Sequence, residues 1–287
     1  MIRYAKPTDL SDALALLGEA QWRVLAGGTD FYPALGSKPL RENVLDINGL
    51  AELRGIAETA SHFVIGARST WTDIVKADLP PAFDSLRQAA REVGSVQIQN
   101  TATVAGNLCN ASPAADGVPP LLILDADVQL HSLGGTRHLP LGDFILGNRR
   151  TALQPGEMVT AIRVPKSSTA GASNFQKLGA RRYLVISIAM AAARIVVGED
   201  GRIADATIAV GSCSAVAKRL TGLEAALRGR TAGPALRDVV AEARLAELSP
   251  IDDVRGTAEY RLDAAREIVF RAVMAASAHS GAETVVA

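Results

Sequence analysis

Apolar and polar positions change period several times along this chain, and the changes predict its elements. Leu10, Ala13, Leu14 and Leu17 recur at helical spacing behind Thr8, an N-cap residue type, with Gly18 placed to stop the helix. Trp22–Leu25 and residues 44–47 read as short strands, with a short helix at Phe31–Leu35 between them and a turn at Asn48-Gly49. Residues 53–57 and 63–67 alternate like a hairpin. Thr70 caps a helix carrying Trp71, Ile74 and Val75; Pro80-Pro81 ends it, and residues 83–93 form a second helix. From Gly94 to Asp127 no strong period holds, so this stretch reads as mostly loop, closing with the apolar run 119–124. Residues 128–132 and 137–141 flank Gly134-Gly135 as a hairpin, and 141–146 and 159–164 continue the sheet to Pro165.

Residues 166–173 (KSSTAGAS) are small and polar and read as a linker. Beyond them 174–178, 186–197 and 203–210 alternate like strands, although 188–194 is Ala-rich and ambiguous. Helical patterns follow at 220–227, 234–245 and 257–278. The pattern predicts an α+β chain in three units: 1–55, 56–168 and 174–287. A length of 287 residues suits two or three domains.

Composition excludes several function classes. Thirty basic and thirty acidic residues leave no net charge, which argues against the electrostatic footprint of a nucleic-acid binder. The two cysteines, Cys109 and Cys213, lie in no ligand motif, and an ordinary iron–sulfur cluster needs four thiolates. Four histidines show no zinc-like spacing. The N-terminus lacks an apolar signal core, and no apolar run reaches the ~18 residues of a membrane span, so the expected location is the cytoplasm.

The chemistry concentrates in two loops rich in Gly, Ala and Thr. Leu25, Ala26, Gly27, Gly28, Thr29, Asp30 and Phe31 form the first; Thr101, Thr103, Val104, Ala105, Gly106 and Asn107 form the second. Neither is a G-x-G-x-x-G, and no P-loop motif occurs. Both still have the properties of an anion cradle. Their glycines allow close backbone approach, and their hydroxyl and amide groups are neutral donors. The stretch 94–127 has no Lys or Arg, so a pyrophosphate there would be held without formal charge. Asp116 would repel a phosphate and belongs beside a ribose or ring N–H groups, where an acceptor is useful.

VLAGGTDFYPAL, TVAGNLCNASPAAD and the downstream PPLLILDADVQL together resemble the flavin-binding medium subunit of the molybdenum hydroxylases, the family of xanthine dehydrogenase and carbon monoxide dehydrogenase. The resemblance spans essentially the whole chain. It implies a two-subdomain FAD-binding fold of the vanillyl-alcohol-oxidase type, followed by a C-terminal sheet-plus-helices domain. The two loops would close on the FAD pyrophosphate from opposite sides. Asp116 matches the family's acidic FAD contact, Lys177 its flavin-contacting lysine and Val159 an apolar contact. Val93 stands where the family places a bulkier residue beside the flavin. Tyr183 or Ile186, in the loop after Lys177, would lie near the ring. No histidine occupies the first loop, which implies noncovalent FAD. The two cysteines exclude the inserted four-cysteine cluster of the benzoyl-CoA reductase branch.

The resemblance further implies an electron-transfer subunit without a catalytic residue of its own. A partner large subunit would carry a molybdenum cofactor and a small partner 2Fe-2S clusters, in a dimer of heterotrimers. Electrons would leave to an external acceptor. The alternatives are a self-contained flavin oxidase or reductase on the same fold, and a flavin-free assembly protein. Cys109 reads as a small buried hydrophobe, and Trp22 and Trp71 as core. Arg149-Arg150 reads as a solvated pair, whereas Arg181-Arg182 has a position suited to the flavin.

Overall fold

The computed structural model describes residues 2–282. Its first unit is a parallel three-stranded sheet of β1 (Tyr4–Ala5), β2 (Trp22–Leu25) and β3 (Asn43–Asp46), in the order β1-β3-β2. Helix α1 (Leu10–Glu19) crosses over from β1 and buries Ala13, Leu14 and Leu17 against Trp22, Leu45 and Ile47. Two sequence expectations fail here. Asp9, not Thr8, caps α1, because its carboxylate accepts from Ser11 N at 2.8 Å. Gly18 does not stop the helix. It is a close-approach position, where an added Cβ would come within 2.6 Å of Leu133 Cδ1. Helix α2 (Phe31–Leu35) follows β2 through the first Gly-rich loop.

The second unit is an antiparallel sheet with strand order β4-β5-β10-β6-β7, built from β4 (Ile56–Glu58), β5 (His62–Gly66), β6 (Asp127–Ser132), β7 (Gly135–Pro140) and β10 (Met158–Pro165). A small ribbon of β8 (Ile145–Gly147) and β9 (Arg150–Thr151) stands beside it. Its helices are α3 (Trp71–Lys76), α4 (Asp84–Glu92), α5 (Val96–Gln99), α6 (Val104–Asn110), α7 (Val118–Leu122) and α8 (Leu141–Phe144). Thr70 and Asp73 close a capping box on α3, as the Thr70 spacing predicts. The stretch 94–127 is not mostly loop. It holds α5, α6 and α7, each of one or two turns, with Ser95 and Thr103 as N-caps and left-handed Ala111 ending α6. Helices that short repeat no apolar stripe, so periodicity does not reveal them. Residues 141–146 are likewise not a strand at their start. Leu141 and Phe144 are buried at i, i+3 on a helical turn.

The third unit is a four-stranded antiparallel sheet of β11 (Ala172–Leu178), β12 (Ala189–Val197), β13 (Ile203–Gly211) and β14 (Lys218–Arg219), with α9 (Thr221–Leu227), α10 (Leu236–Glu242) and α11 (Ala258–Ala282). The expected linker is short, because Lys166–Ser168 is a 3₁₀ turn and β11 already begins at Ala172. Both faces of this sheet are covered. Phe175, Met190, Ala192 and Ala209 join the core of the second unit, while Ala189, Ala191, Ala193 and Ile195 pack under α9, α10 and α11. That double burial explains the ambiguous Ala-rich run: small side chains let helices approach from both sides. The edge of β11 is closed by the second unit, with Phe175 N donating to Gln88 Oε1 at 2.7 Å and Ser173 Oγ to Ala82 O at 2.7 Å. Thr207 Oγ1 and Arg219 Nη1 donate to the carbonyls of Ile123 and Leu122, satisfying the end of α7. The second and third units are therefore joined by apolar and polar contacts together.

Candidate functional site

A cleft of about 1390 Å³ opens between the first and second units. One wall is the loop after β2. Gly27 packs directly on the Thr101 carbonyl, leaving no room for a Cβ, and Gly28 turns the chain at φ +75°. Among the described residues, no acceptor pairs with the backbone N–H groups of Gly27, Gly28, Thr29, Asp30 or Phe31. All five residues line the cleft. A run of unpaired N–H groups on tightly turned backbone suits an anion. The loop is held from below: Asn48 Nδ2 donates to Ala26 O at 2.8 Å, Asp46 accepts from Asn48, and Tyr4 donates to Asp46 Oδ2 at 2.6 Å. Burial works against ionisation of Asp46, but the hydrogen bonds from Tyr4 and Asn48 outweigh it and lower its pKa.

The facing wall is the start of α6. Thr103 Oγ1 accepts from Gly106 N at 3.0 Å, which leaves the hydroxyl proton free to donate elsewhere. Val104 N donates to Ser69 O and Trp71 N to Ala102 O, tying α6 to α3. Asn107 Oδ1 accepts from Gly117 N at 3.3 Å, so its amide donors remain available. Thr103, Ala105, Gly106 and Asn107 line the cleft, as do Ala26, Val93 and Val159. Leu25 and Val104 are buried core residues behind it. Thr101 is exposed, and its hydroxyl donates to Gln97 O; it contributes its carbonyl to the Gly27 contact.

Asp116 and Lys177 lie outside the cleft lining and meet each other. Lys177 Nζ is 2.6 Å from Asp116 Oδ2 and also reaches Glu92 O, next to Val93, at 3.4 Å. Ser187 Oγ donates to the other carboxylate oxygen at 2.7 Å. Burial pushes the Asp116 carboxyl above the usual carboxylate range, opposed by Lys177 and Ser187. The loop between Leu178 and Ser187 is thus anchored at both ends on one aspartate, and its Tyr183, Leu184 and Ile186 are exposed. Arg181 in that loop donates to Leu184 O, and Arg182 lies 3.9 Å from Glu92.

Four cleft residues escaped the sequence reading. Cys109 is not a buried hydrophobe; its side chain is open to the cleft. The cleft walls around it desolvate the thiol and push its pKa up. Arg149 is exposed, as its reading as a solvated residue has it, and it also lines the cleft. Trp22, read as core, is largely buried and still contributes to the wall. Glu157 anchors the segment 152–158, bonded to Arg137 at 2.6 Å and to Gln154 N at 2.8 Å. The Arg137 hydrogen bond lowers its pKa. No local motif marks these positions, because each reaches the cleft from a different chain segment. Among the described residues, no histidine or tyrosine lines the cleft.

Comparison with known proteins finds relatives over nearly the whole chain. Residues 1–167 match the model of the FAD binding domain in molybdopterin dehydrogenase, and residues 174–276 that of the CO dehydrogenase flavoprotein C-terminal domain. The chain is similar to the carbon monoxide dehydrogenase medium chain of Afipia carboxidovorans, at 32% identity over 96% of this chain and 97% of the other. It is similar to the putative xanthine dehydrogenase FAD-binding subunit of Escherichia coli, at 30% identity over 97% of both chains. Among solved structures, reconstituted CO dehydrogenase from Oligotropha carboxidovorans superimposes with a TM-score of 0.90 at 29% identity, covering 97% of this chain and 98% of that one.

Proposed function

This chain belongs to the family of FAD-binding medium subunits of the molybdenum hydroxylases, and from that premise we propose that it serves as the electron-transfer station of a cytoplasmic holoenzyme. It would take electrons from a partner 2Fe-2S subunit and pass them to an external acceptor. The substrate would be hydroxylated on a partner subunit carrying the molybdenum cofactor. Bound FAD supplies the redox chemistry, exchanging electrons singly or in pairs.

The residues present suit noncovalent FAD. The carrying observation is the run of unpaired N–H groups from Gly27 to Phe31, set across the cleft from the Thr103-capped start of α6. Two neutral donor sets would hold the pyrophosphate between them. Val93 and Val159 offer apolar surface in the same cleft, and the buried Asp116–Lys177–Ser187 cluster would fix the flavin-side wall. This chain's own work is to bind, orient and shield the cofactor.

The test is an FAD titration of the purified chain followed by absorption and flavin fluorescence. One equivalent should bind, and Thr103→Val or Gly106→Val should weaken binding. Unchanged affinity in both variants would place the cradle elsewhere. Oxidation of an aldehyde or heterocycle by the isolated chain would sink the division of labour between subunits.

A further inference from the structure

Strand β10 breaks its inward-outward alternation once, next to the cleft. Ile162 and Val164 are buried in the core of the second unit, while Ala161 and Arg163 lie opposite Gln129 and Asp127 of β6. Continued without a break, that alternation would turn residues 160 and 158 inward and residue 159 outward. The register instead shifts between Val159 and Ala161. Val159 pairs with Leu130, Ala161 with Gln129, and Thr160 has no partner on β6. One extra residue on one strand is a β-bulge, which re-aims the side chains beside it. Past the bulge, Val159 packs in the core of the second unit and Met158 in that of the first, and both line the cleft. Thr160 itself is buried, and its hydroxyl is gripped from β6. Gln129 Nε2 donates to Oγ1 at 3.1 Å, and His131 Nδ1 lies 2.7 Å from the same oxygen. The Thr160 carbonyl accepts from the N–H of Ala67, a residue of the cleft lining, at 2.9 Å. Gln129, His131 and Thr160 themselves lie outside that lining.

We infer that Thr160 is a positioning residue: the grip of Gln129 and His131 on its hydroxyl fixes the bulge, and the bulge holds Met158 and Val159 in the wall that a bound flavin nucleotide meets. Resting on the FAD reading above, this adds to it a residue that acts only through its neighbours. Loss of the hydroxyl leaves two β6 side-chain groups without their partner in a buried place, so the bulge must relax to satisfy them. The competing role is purely structural: a buried hydroxyl that stabilises the sheet and leaves the cleft wall as it is.

Titration of the full-length chain with FAD, read by flavin absorption and fluorescence beside the melting temperature of the apo chain, separates the two. Thr160→Val should weaken FAD about tenfold and shift the visible absorption of the bound flavin, and Thr160→Ser should restore most of both. Thr207→Val loses a comparably buried hydroxyl bond, in β13 and outside the cleft lining, and should lower the melting temperature alone. If Thr160→Val does not fold, Gln129→Leu and His131→Leu each remove one half of the grip and should give part of the same spectral shift. Wild-type affinity and spectrum in Thr160→Val, or in both β6 variants, overturn this inference alone, whatever the melting temperature does. An equal loss of affinity in Thr207→Val overturns it too. A wild type that binds no FAD overturns the functional reading, and this inference with it.

Discussion

Lys177 and Asp116 come from different domains and form a buried ion pair, 2.6 Å from Nζ to Oδ2, with side chains only 8% and 9% exposed. Ser187 completes the carboxylate's bonding from the far end of the same loop. The pair therefore links the Asn107–Asp116 segment behind the cleft to the strand and loop of the C-terminal domain. Removing one partner leaves the other buried and unpaired.

Lys177→Met should accordingly destabilise the chain by about 3–5 kcal/mol, the usual range for a broken buried pair. Adding Asp116→Asn to it should restore part of that loss. Urea denaturation of the two single variants and the double variant measures the coupling; strictly additive losses would show that the pair is not coupled.

Gly27→Ala should lower FAD affinity at least tenfold. The added Cβ collides with the Thr101 carbonyl, which must move and separate the two cradle loops. Flavin fluorescence titration provides the check, with Gly233→Ala as a comparison at a site with open space around a Cβ and no positive φ.

Glu157 gives a pH dependence of definite sign. Its folded pKa lies below the ordinary value of about 4.3, first because Arg137 donates to it. A depressed carboxylate contributes stability that is present above the unfolded pKa and is lost as pH falls through the folded pKa. The stability gap between wild type and Glu157→Gln should be constant above about pH 5 and should close at lower pH. Denaturation curves between pH 7 and pH 3, on the order of one per pH unit, test this. A gap that widens on acidification would contradict the assignment.

Cys109 should react slowly with alkylating reagents despite facing the cleft. Desolvation raises the thiol pKa, so less thiolate is present near neutral pH than in an ordinary cysteine. Bound FAD should slow the reaction further. Mass spectrometry after iodoacetamide treatment, with and without FAD, reads both effects; labelling at the rate of a free cysteine would refute the first.

Much of the architecture is legible in local pattern. The Thr70 cap, the hairpin around Gly134-Gly135, strand β2 running into Gly27-Gly28 and the three C-terminal helical segments all announce themselves within a few residues. They do so because caps, turns and alternation are properties of neighbours along the chain. The short helices of 94–127 do not, since one or two turns cannot repeat a stripe. The Ala-rich strand β12 reads as a strand only ambiguously, because burial on both faces erases alternation.

The two glycine-rich loops and their chemistry are written in the sequence, since close backbone approach demands glycine wherever it occurs. Three relationships depend on distant segments meeting in space. Gly27 abuts Thr101, Lys177 neutralises Asp116, and Arg149, Cys109 and Glu157 gather around one cleft. An ion pair between residues 61 positions apart has no local signature, because its energy arises only when folding removes both charges from water. The sequence by itself thus determined which elements form and where a cofactor loop is possible. Tertiary packing decided which donors stay unpaired, which charges are buried together and which side chains face the cleft.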